Sequence, residues 1–298
     1  MTGIECLSLR PVAAGNSWLL RAGDGCAVLD TGFACTAREA AAMAAQICPE
    51  RAPERILLSH SHYDHASGTV LFSERFPAAE ICAGAHAAHV FSRPGALRTM
   101  RELNATAARE YDREPDDASL EQLRVDRVLR EGDSVAVGSV SFEVWETPGH
   151  TQCSLSFFAP EVSLLLASET MGIPNPAVPG ETEPMVVPAC MTGVESALRA
   201  IRRALDAQPE AILVPHTGVL RGEAARQYLR GALTWTARGR DLVLEGAAAG
   251  RTEAELIGVW KALFYTPQTA RIQPEAAFDL NAGYIIPAIL REYAQRTV

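Results

Sequence analysis

The residues of this sequence that could bind a metal ion are most concentrated in one short run. The run reads His60-Ser61-His62-Tyr63-Asp64-His65, so four candidate ligands fall within six residues. Imidazole nitrogen and carboxylate oxygen are the donors that hydrolytic transition-metal sites use. A chance cluster of histidines on a solvated loop is the alternative, and this density argues against it.

The ligand run follows the apolar residues 56–58, which predict a buried strand. Three further candidates also follow apolar, strand-like segments: His150 after residues 140–145, Glu169 after 164–167, and His216 after 212–214. Any one of these histidines alone would more often be structural. The repeated order of strand and then ligand predicts a single site at one edge of a sheet.

These motifs resemble the metallo-β-lactamase fold superfamily and its glyoxalase II-like hydrolases, over about residues 4–218. The segment Asp30-Thr31-Gly32 also resembles the Asp-x-Gly turn that this family has at a strand end. The resemblance implies an α/β fold, a four-layer αββα sandwich, for a catalytic domain at residues 1–220. Residues 221–298 would then form an added helical region that packs on or near the active site.

The resemblance also implies which residues would hold metal. His60, His62 and His150 would bind one ion, Asp64, His65 and His216 the second, and Glu169 would bridge the two. The family usually has Asp at the bridging position, so Glu169 is a departure that lengthens the carboxylate arm by one methylene. The spacing, identity and double occupancy of the metals stay open, and Glu169 as a plain loop acid is the alternative.

Two adjacent cations lower the pKa of a bridging water towards about 7, which makes hydroxide available at neutral pH. Asp64 is then predicted to be both a ligand and the catalytic group that orients this hydroxide. The imidazole ligands need acceptors that fix their tautomers, and Asp30 is a candidate by position. We therefore expect hydrolysis of a small ester-like substrate: a thioester, a lactone or a related ester. Zinc is the first choice of metal, and iron or manganese suits the same donors.

Two other function classes stay open. The same fold carries iron sites, so an iron-dependent oxidoreductase or oxygenase is one, and a coloured protein with iron-dependent turnover would indicate it. A metal-containing signalling effector is the other, and a variant lacking His62 and Asp64 that still performs its cellular task would favour it. A serine-based mechanism has no support in the sequence, because neither Ser61 nor Ser168 lies in a Gly-x-Ser-x-Gly turn.

The amino-acid composition limits the classes of binding partner and the cellular compartment that we expect for this protein. The net charge is −9 and Lys261 is the only lysine, which argues against a nucleic-acid groove and for a small-molecule substrate. Seven cysteines without a Cys-x-x-Cys pair do not suggest a disulfide framework. We see neither a leader pattern nor an apolar stretch of about 18 residues. We therefore expect a cytoplasmic protein that makes no membrane contact.

The residues after 221 read as helical, and this layout resembles the quinolone-response thioesterase of the same superfamily. Leu256, Trp260 and Phe264 fall on one helical face. Such a face is most simply core; a cover over the metals or a homodimer contact is the functional alternative. Pro287 is predicted to begin a helix.

Three capping boxes, starting at Thr36, Thr192 and Thr252, predict helix starts. Residues 171–189 contain five prolines and predict a long irregular loop, which either overhangs the site or merely connects elements. His86 and His89 have helical i, i+3 spacing. They are either a third metal site or, by stronger expectation, an exposed or core-edge pair.

Overall fold

The computed structural model describes residues 3–12, 14–116, 119–175 and 184–294. The chain divides into two compact units. The first comprises Met1–Glu146 with Leu155–Leu166, and the second comprises Thr147–Ser154 with Ala167–Val298. The predicted domain boundary at residues 220/221 stays a prediction.

The first unit contains two groups of strands and a set of helices. The first strands are β1 Ile4–Ser8, β2 Ser17–Ala22, β3 Gly25–Thr31, β4 Arg55–Leu57, β5 Glu80–Gly84 and β6 Arg127–Leu129. The second group is β7 Ser134–Val137, β8 Val140–Glu146, β9 Leu155–Ala159 and β10 Leu164–Leu166. The helices are α1 Ala34–Ile47, α2 Tyr63–Ala66, α3 Thr69–Arg75, α4 Ala85–Phe91 and α5 Pro94–Glu110.

Strands β1 to β6 form one sheet in chain order, antiparallel from β1 to β3 and parallel from β3 to β6. Every residue of β3 is buried. A strand that is covered on both faces of a sheet needs apolar side chains on both, so the sequence of β3 is apolar over most of its length and does not alternate with polar residues. Val28 pairs with Ile56 and Leu29 with Leu57. Because β3 and β4 run in the same direction, the residues that follow both strands lie at the same edge of the sheet.

Strands β7 to β10 form an antiparallel meander. Residues of β7 alternate strictly between exposed and buried, and β8 does so over most of its length, so that Phe142 and Val144 face inward. This period of two fits a sheet with one face packed on a core and one in solvent. The strand-like segments predicted at residues 140–145 and 164–167 are confirmed as β8 and β10.

The second unit is mainly helical. Its strands are β11 Ile173–Asn175, β12 Met185–Val187, β13 Ala211–Val214 and β14 Gly218–Arg221. Its helices are α6 Val194–Ala207, α7 Glu223–Ala248, α8 Glu253–Phe264, α9 Thr269–Ile272 and α10 Glu275–Ala294. The helical character predicted after residue 221 is confirmed for the described residues.

Aromatic residues make the core of the second unit. The Phe264 ring centroid lies 4.5 Å from that of Trp260 and 6.1 Å from that of Trp235. All three side chains are buried, and Leu256 packs in the same cluster. The simpler prediction for this helical face, that it is core, is therefore confirmed.

Only one of the three predicted capping boxes forms. At α8 the Thr252 side chain accepts from Glu255 N–H and the Glu255 side chain returns the bond. Thr36 instead lies inside α1, because that helix begins two residues earlier, and its hydroxyl donates to the Phe33 carbonyl. The Thr192 hydroxyl donates to the Gly149 carbonyl. This contact with a residue distant in sequence takes the place of the predicted cap on α6, which has no side-chain cap hydrogen bond.

The prediction that Pro287 begins a helix was wrong, because α10 continues through it. Burial of Ile285, Ile286 and Ile289 on this helix holds the segment helical against the local preference of proline. Within the described part of the chain, no helix combines the length and apolar character needed to span a membrane.

The predicted irregular loop at residues 171–189 has ordered ends. β11 and β12 pair as an antiparallel ribbon, with Ile173 opposite Val187. Asn175 Nδ2 donates to the hydroxyls of Thr266 and Thr269, 2.7 Å away in each case, which ties β11 to the helical region. Residues 176–183 lie outside the described residues, so the prediction that this loop overhangs the site stays a prediction.

Candidate metal centre

The first unit presents the dense ligand run directly after β4. His60 and His62 follow the strand, and Asp64 and His65 lie on the single turn of α2. The His60 ring centroid lies 4.1 Å from that of His65 and 4.6 Å from that of His62. Asp64 Oδ2 lies 3.6 Å from His65 Nε2. The structure thus brings these four predicted ligands together within the unit.

Asp30 fixes the orientation of His65. Its Oδ2 accepts from His65 Nδ1 at 2.8 Å, which leaves Nε2 available to bind a metal ion. The same carboxylate accepts from the Ser59 backbone N–H at 2.7 Å, from the Ser59 hydroxyl at 2.8 Å and from Asn16 Nδ2 at 2.8 Å. The predicted hydrogen bond from an imidazole of the ligand run to Asp30 is present at His65, and the role of His65 as a metal ligand stays a prediction. Ser59 and Asn16 were not predicted.

The backbone explains how Asp30 reaches this position. Its φ of 55° is in the left-handed region, which Asp tolerates better than most residues. Asp30 is 1% exposed, so its charge has little access to water and depends on these donors. Strand β3 delivers it to the same sheet edge at which β4 delivers the ligand run.

The second unit holds the other three predicted ligands around one carboxylate. Glu169 Oε2 lies 2.8 Å from His150 Nε2, and Glu169 Oε1 is hydrogen-bonded to His216 Nε2. Each carboxylate oxygen therefore faces a different imidazole. That arrangement is compatible with a bridging carboxylate, and the bridging role of Glu169 stays a prediction.

Neighbouring backbone segments bring Glu169 and His216 together. Ala167 N–H donates to the Leu213 carbonyl at 2.9 Å, so the segment that leads to Glu169 runs beside β13. His216 follows β13 in a turn in which Thr217 N–H donates to the Val214 carbonyl. The left-handed φ of His216, 59°, belongs to this turn.

Hydrogen bonds with the backbone and with one threonine fix the position and the ring orientation of His150. Its Nδ1 donates to the Ala189 carbonyl at 2.9 Å, which leaves Nε2 available to bind a metal ion. Its backbone N–H donates to the Thr170 hydroxyl at 3.1 Å, and that hydroxyl donates to the Thr147 carbonyl at 2.6 Å. Thr170 directly follows Glu169 and so links two predicted ligands. Neither Thr170 nor Ala189 was predicted.

The donor atoms fit metal ions. Two ligand atoms that are each ~2.1 Å from one ion lie ~3.0–3.4 Å apart in octahedral or tetrahedral geometry. The 2.8 Å between His150 Nε2 and Glu169 Oε2 is close to that separation. All seven predicted ligands, in the first unit and in the second, belong to sets of His, Asp and Glu side chains that can hold an ion.

His86 and His89 are an exposed pair. Both lie on α4, with ring centroids 6.0 Å apart. Among the residues that the structure describes, neither belongs to a set that can hold a metal. The stronger expectation, an exposed pair, therefore agrees with the structure.

The comparison with known proteins agrees with the geometry in indicating a metal-binding protein. The model of the metallo-beta-lactamase superfamily matches residues 10–216. A hydroxyacylglutathione hydrolase from Methylobacterium sp. (strain 4-46) is 29% identical over 116 residues, which are 39% of this chain and 33% of the relative. One from Legionella pneumophila (strain Paris) is 25% identical over the same shares. The match thus spans a third of these curated relatives.

Solved structures share the fold at low identity. A metallo-beta-lactamase family protein from Thermus thermophilus has a TM-score of 0.63 at 20% identity, with 98% of this chain and 93% of that one covered. A beta-lactamase domain protein from Burkholderia ambifaria has a TM-score of 0.61 at 16% identity, with coverages of 99% and 86%. The predicted αββα fold class with an added helical region is confirmed. The chain belongs to the metallo-β-lactamase superfamily.

Proposed function

We propose that this protein is a dinuclear metal-dependent hydrolase of a small ester-like substrate. One ion would bind to His60, His62 and His150, the second to Asp64, His65 and His216, with Glu169 between them. The observation that carries the proposal is the Glu169 carboxylate, whose two oxygens each face a different imidazole Nε2. Membership of the superfamily and the buried imidazoles of the ligand run support it.

The chemistry divides between the ions and the chain. When bound, a pair of divalent ions acidifies water and polarises the carbonyl of an ester. Asp64 would accept a proton from the attacking water at a carboxylate oxygen and would orient that water. Asp30 keeps the His65 ring fixed, and the Ala189 carbonyl does the same for His150. These contacts hold the ligand atoms in place before the substrate arrives.

The substrate class follows from the relatives and from the charge of the chain. The curated relatives are named hydroxyacylglutathione hydrolases, which makes thioesters the first class to test. The net charge of −9 disfavours a nucleic-acid substrate. We propose zinc as the metal, and iron or manganese would suit the same nitrogen and oxygen donors. The cytoplasmic location stays a prediction.

The predicted homodimer through the C-terminal helices also stays a prediction. Leu280 and Tyr284 lie one helical turn apart on α10, and their exposed fractions are 52% and 57%. They are the side chains that such a contact would cover.

Metal analysis followed by a substrate panel tests the proposal. The purified chain is analysed for Zn, Fe and Mn, stripped, and assayed with thioester, lactone and phosphoester substrates as each metal is restored. We expect metal-dependent ester hydrolysis that His62→Ala abolishes. His86→Ala is the matched control, because it removes an exposed imidazole outside the proposed ligands. Metal binding without hydrolysis of any ester would contradict the activity, and iron-dependent redox turnover would replace it.

A further inference from the structure

A row of three aromatic rings lies in the first unit beside the ligand run. Phe33 directly precedes α1, and its ring centroid lies 5.6 Å from that of Tyr63 and 5.5 Å from that of Tyr111. Phe33 is 3% exposed, whereas both tyrosines are only half-buried. The middle of the row is therefore core, and its two outer rings reach the surface.

The row is continuous with the proposed metal site. Tyr63 stands between His62 and Asp64 in the ligand run. The charge of Asp64 also acts on the Tyr111 phenol: burial first, and then the charges of Glu110 and Asp64, raise the pKa of Tyr111 to about 12. A tyrosine phenol is protonated at neutral pH because its ordinary pKa is about 10, so the Tyr111 hydroxyl can donate a hydrogen bond.

The Tyr111 hydroxyl makes no hydrogen bond to any residue that the structure describes. Phenols that serve only as core usually find a protein acceptor when they are removed from water. A half-buried donor beside a catalytic carboxylate is instead suited to a substrate oxygen. This distinguishes Tyr111 from Phe33, whose role is packing.

The scaffold behind the row is fixed. Asn104 on α5 is buried, accepts from Ala34 N–H at 3.0 Å and donates to the Ser67 hydroxyl at 2.6 Å. It thereby joins α5 to the start of α1 and to the residue that ends α2. Tyr111, which ends α5, is thus held in position relative to Tyr63 before any ligand binds.

We propose that Tyr63 and Tyr111 form the subsite for a neutral, apolar or aromatic acyl group of the ester, with the Tyr111 hydroxyl donating to a substrate oxygen. The inference rests on the proposed ester hydrolysis and names its substrate class. Ring faces favour apolar groups, and Glu110 adds a negative charge near Tyr111, which disfavours an anionic acyl group.

Kinetics with a graded acyl series test this subsite. The metal-loaded full chain is assayed with acetyl, butyryl, octanoyl and phenylacetyl thioesters of one neutral thiol. Because each buried methylene adds to binding, we expect kcat/KM for octanoyl to exceed that for acetyl at least ~10-fold. Tyr111→Ala should remove that preference and leave metal content unchanged. Tyr111→Phe should keep the preference and lower kcat/KM ~3–10-fold for every ester, through the lost hydrogen bond.

A matched control and a binding measurement complete the test. His86→Ala removes an exposed ring on α4, outside the proposed ligands, and should change nothing. Calorimetric titration with octanoate and acetate reports the subsite even without turnover, since both carboxylates meet the metals alike. If no ester is hydrolysed but octanoate binds more tightly and loses that advantage in Tyr111→Ala, the proposed function fails and the subsite stands. Equal kcat/KM for acetyl and octanoyl, or equal affinities, would overturn the subsite.

Discussion

His65 Nδ1 lies 2.8 Å from Asp30 Oδ2, and both side chains are almost completely removed from solvent. A buried carboxylate behind an imidazole fixes the ring and raises its basicity as a ligand. Asp30 comes from β3 and His65 from the turn after β4, so parallel pairing of these two strands makes the contact.

Replacement of Asp30 tests this relationship. Asp30→Asn removes the charge and leaves the size, and we expect metal affinity to fall ~10–100-fold. Competition with a chromogenic chelator measures that affinity. Asp24→Asn is the matched control, because its side chain is 76% exposed and forms its ion pair with Arg51 at the surface. Equal metal affinity in Asp30→Asn and the unchanged protein would refute the role of Asp30.

Thr170 gives a second prediction. Thr170→Val would leave the His150 N–H and the Thr147 carbonyl without their buried partner, at ~1–3 kcal/mol of unfolding free energy. Metal affinity should fall with it, because His150 and Glu169 lose their link. Thr170→Ser keeps the hydroxyl and should restore metal affinity and most of the stability. Urea unfolding and chelator competition measure the two effects, and a Ser variant as weak as Val would contradict the account.

The strand ends could be predicted from the sequence, and with them the seven candidate ligands, because apolar runs followed by His, Asp or Glu are local patterns. Thr170, Ser59 and Asn16 could not. A threonine hydroxyl or an amide has no periodicity, and its partner lies on another segment of the chain. The capping boxes show the same limit: Thr252 caps α8 as its local pattern predicts, but Thr192 bonds to Gly149, which is distant in sequence.

Replacing two helical glycines of the second unit by alanine should change the stability of the protein in opposite directions. A Cβ at Gly239 would lie 2.8 Å from the Trp260 ring, so Gly239→Ala should destabilise the protein by ~1–3 kcal/mol through overpacking. A Cβ at Gly258 would meet nothing within 4 Å. Gly258→Ala should therefore stabilise α8 by ~0.5–1 kcal/mol. Thermal unfolding measures the stability of both variants. A Gly239→Ala variant more stable than the unchanged protein would contradict the close packing of Gly239 against Trp260.

Cysteine reactivity gives a fourth prediction. Burial raises the pKa of Cys26, Cys82 and Cys190 to about 12 in each case. At pH 8 the reactive thiolate is then ~10⁻⁴ of each thiol, and it increases only as pH approaches 12. Iodoacetamide should label Cys6, which is partly exposed, and should reach those three only after denaturation. Peptide mass spectrometry follows the labelling, and rapid modification of Cys190 in the folded protein would contradict its burial.

The stoichiometry of bound metal tests the central claim most directly. Elemental analysis of the chain, purified without chelator and reloaded with zinc, should give two ions per chain. Glu169→Ala should lower that number to one or none, whereas Glu161→Ala, an exposed acid, should leave it at two. A wild-type chain that holds no stoichiometric metal, or a Glu169→Ala variant that keeps both ions, would contradict the account.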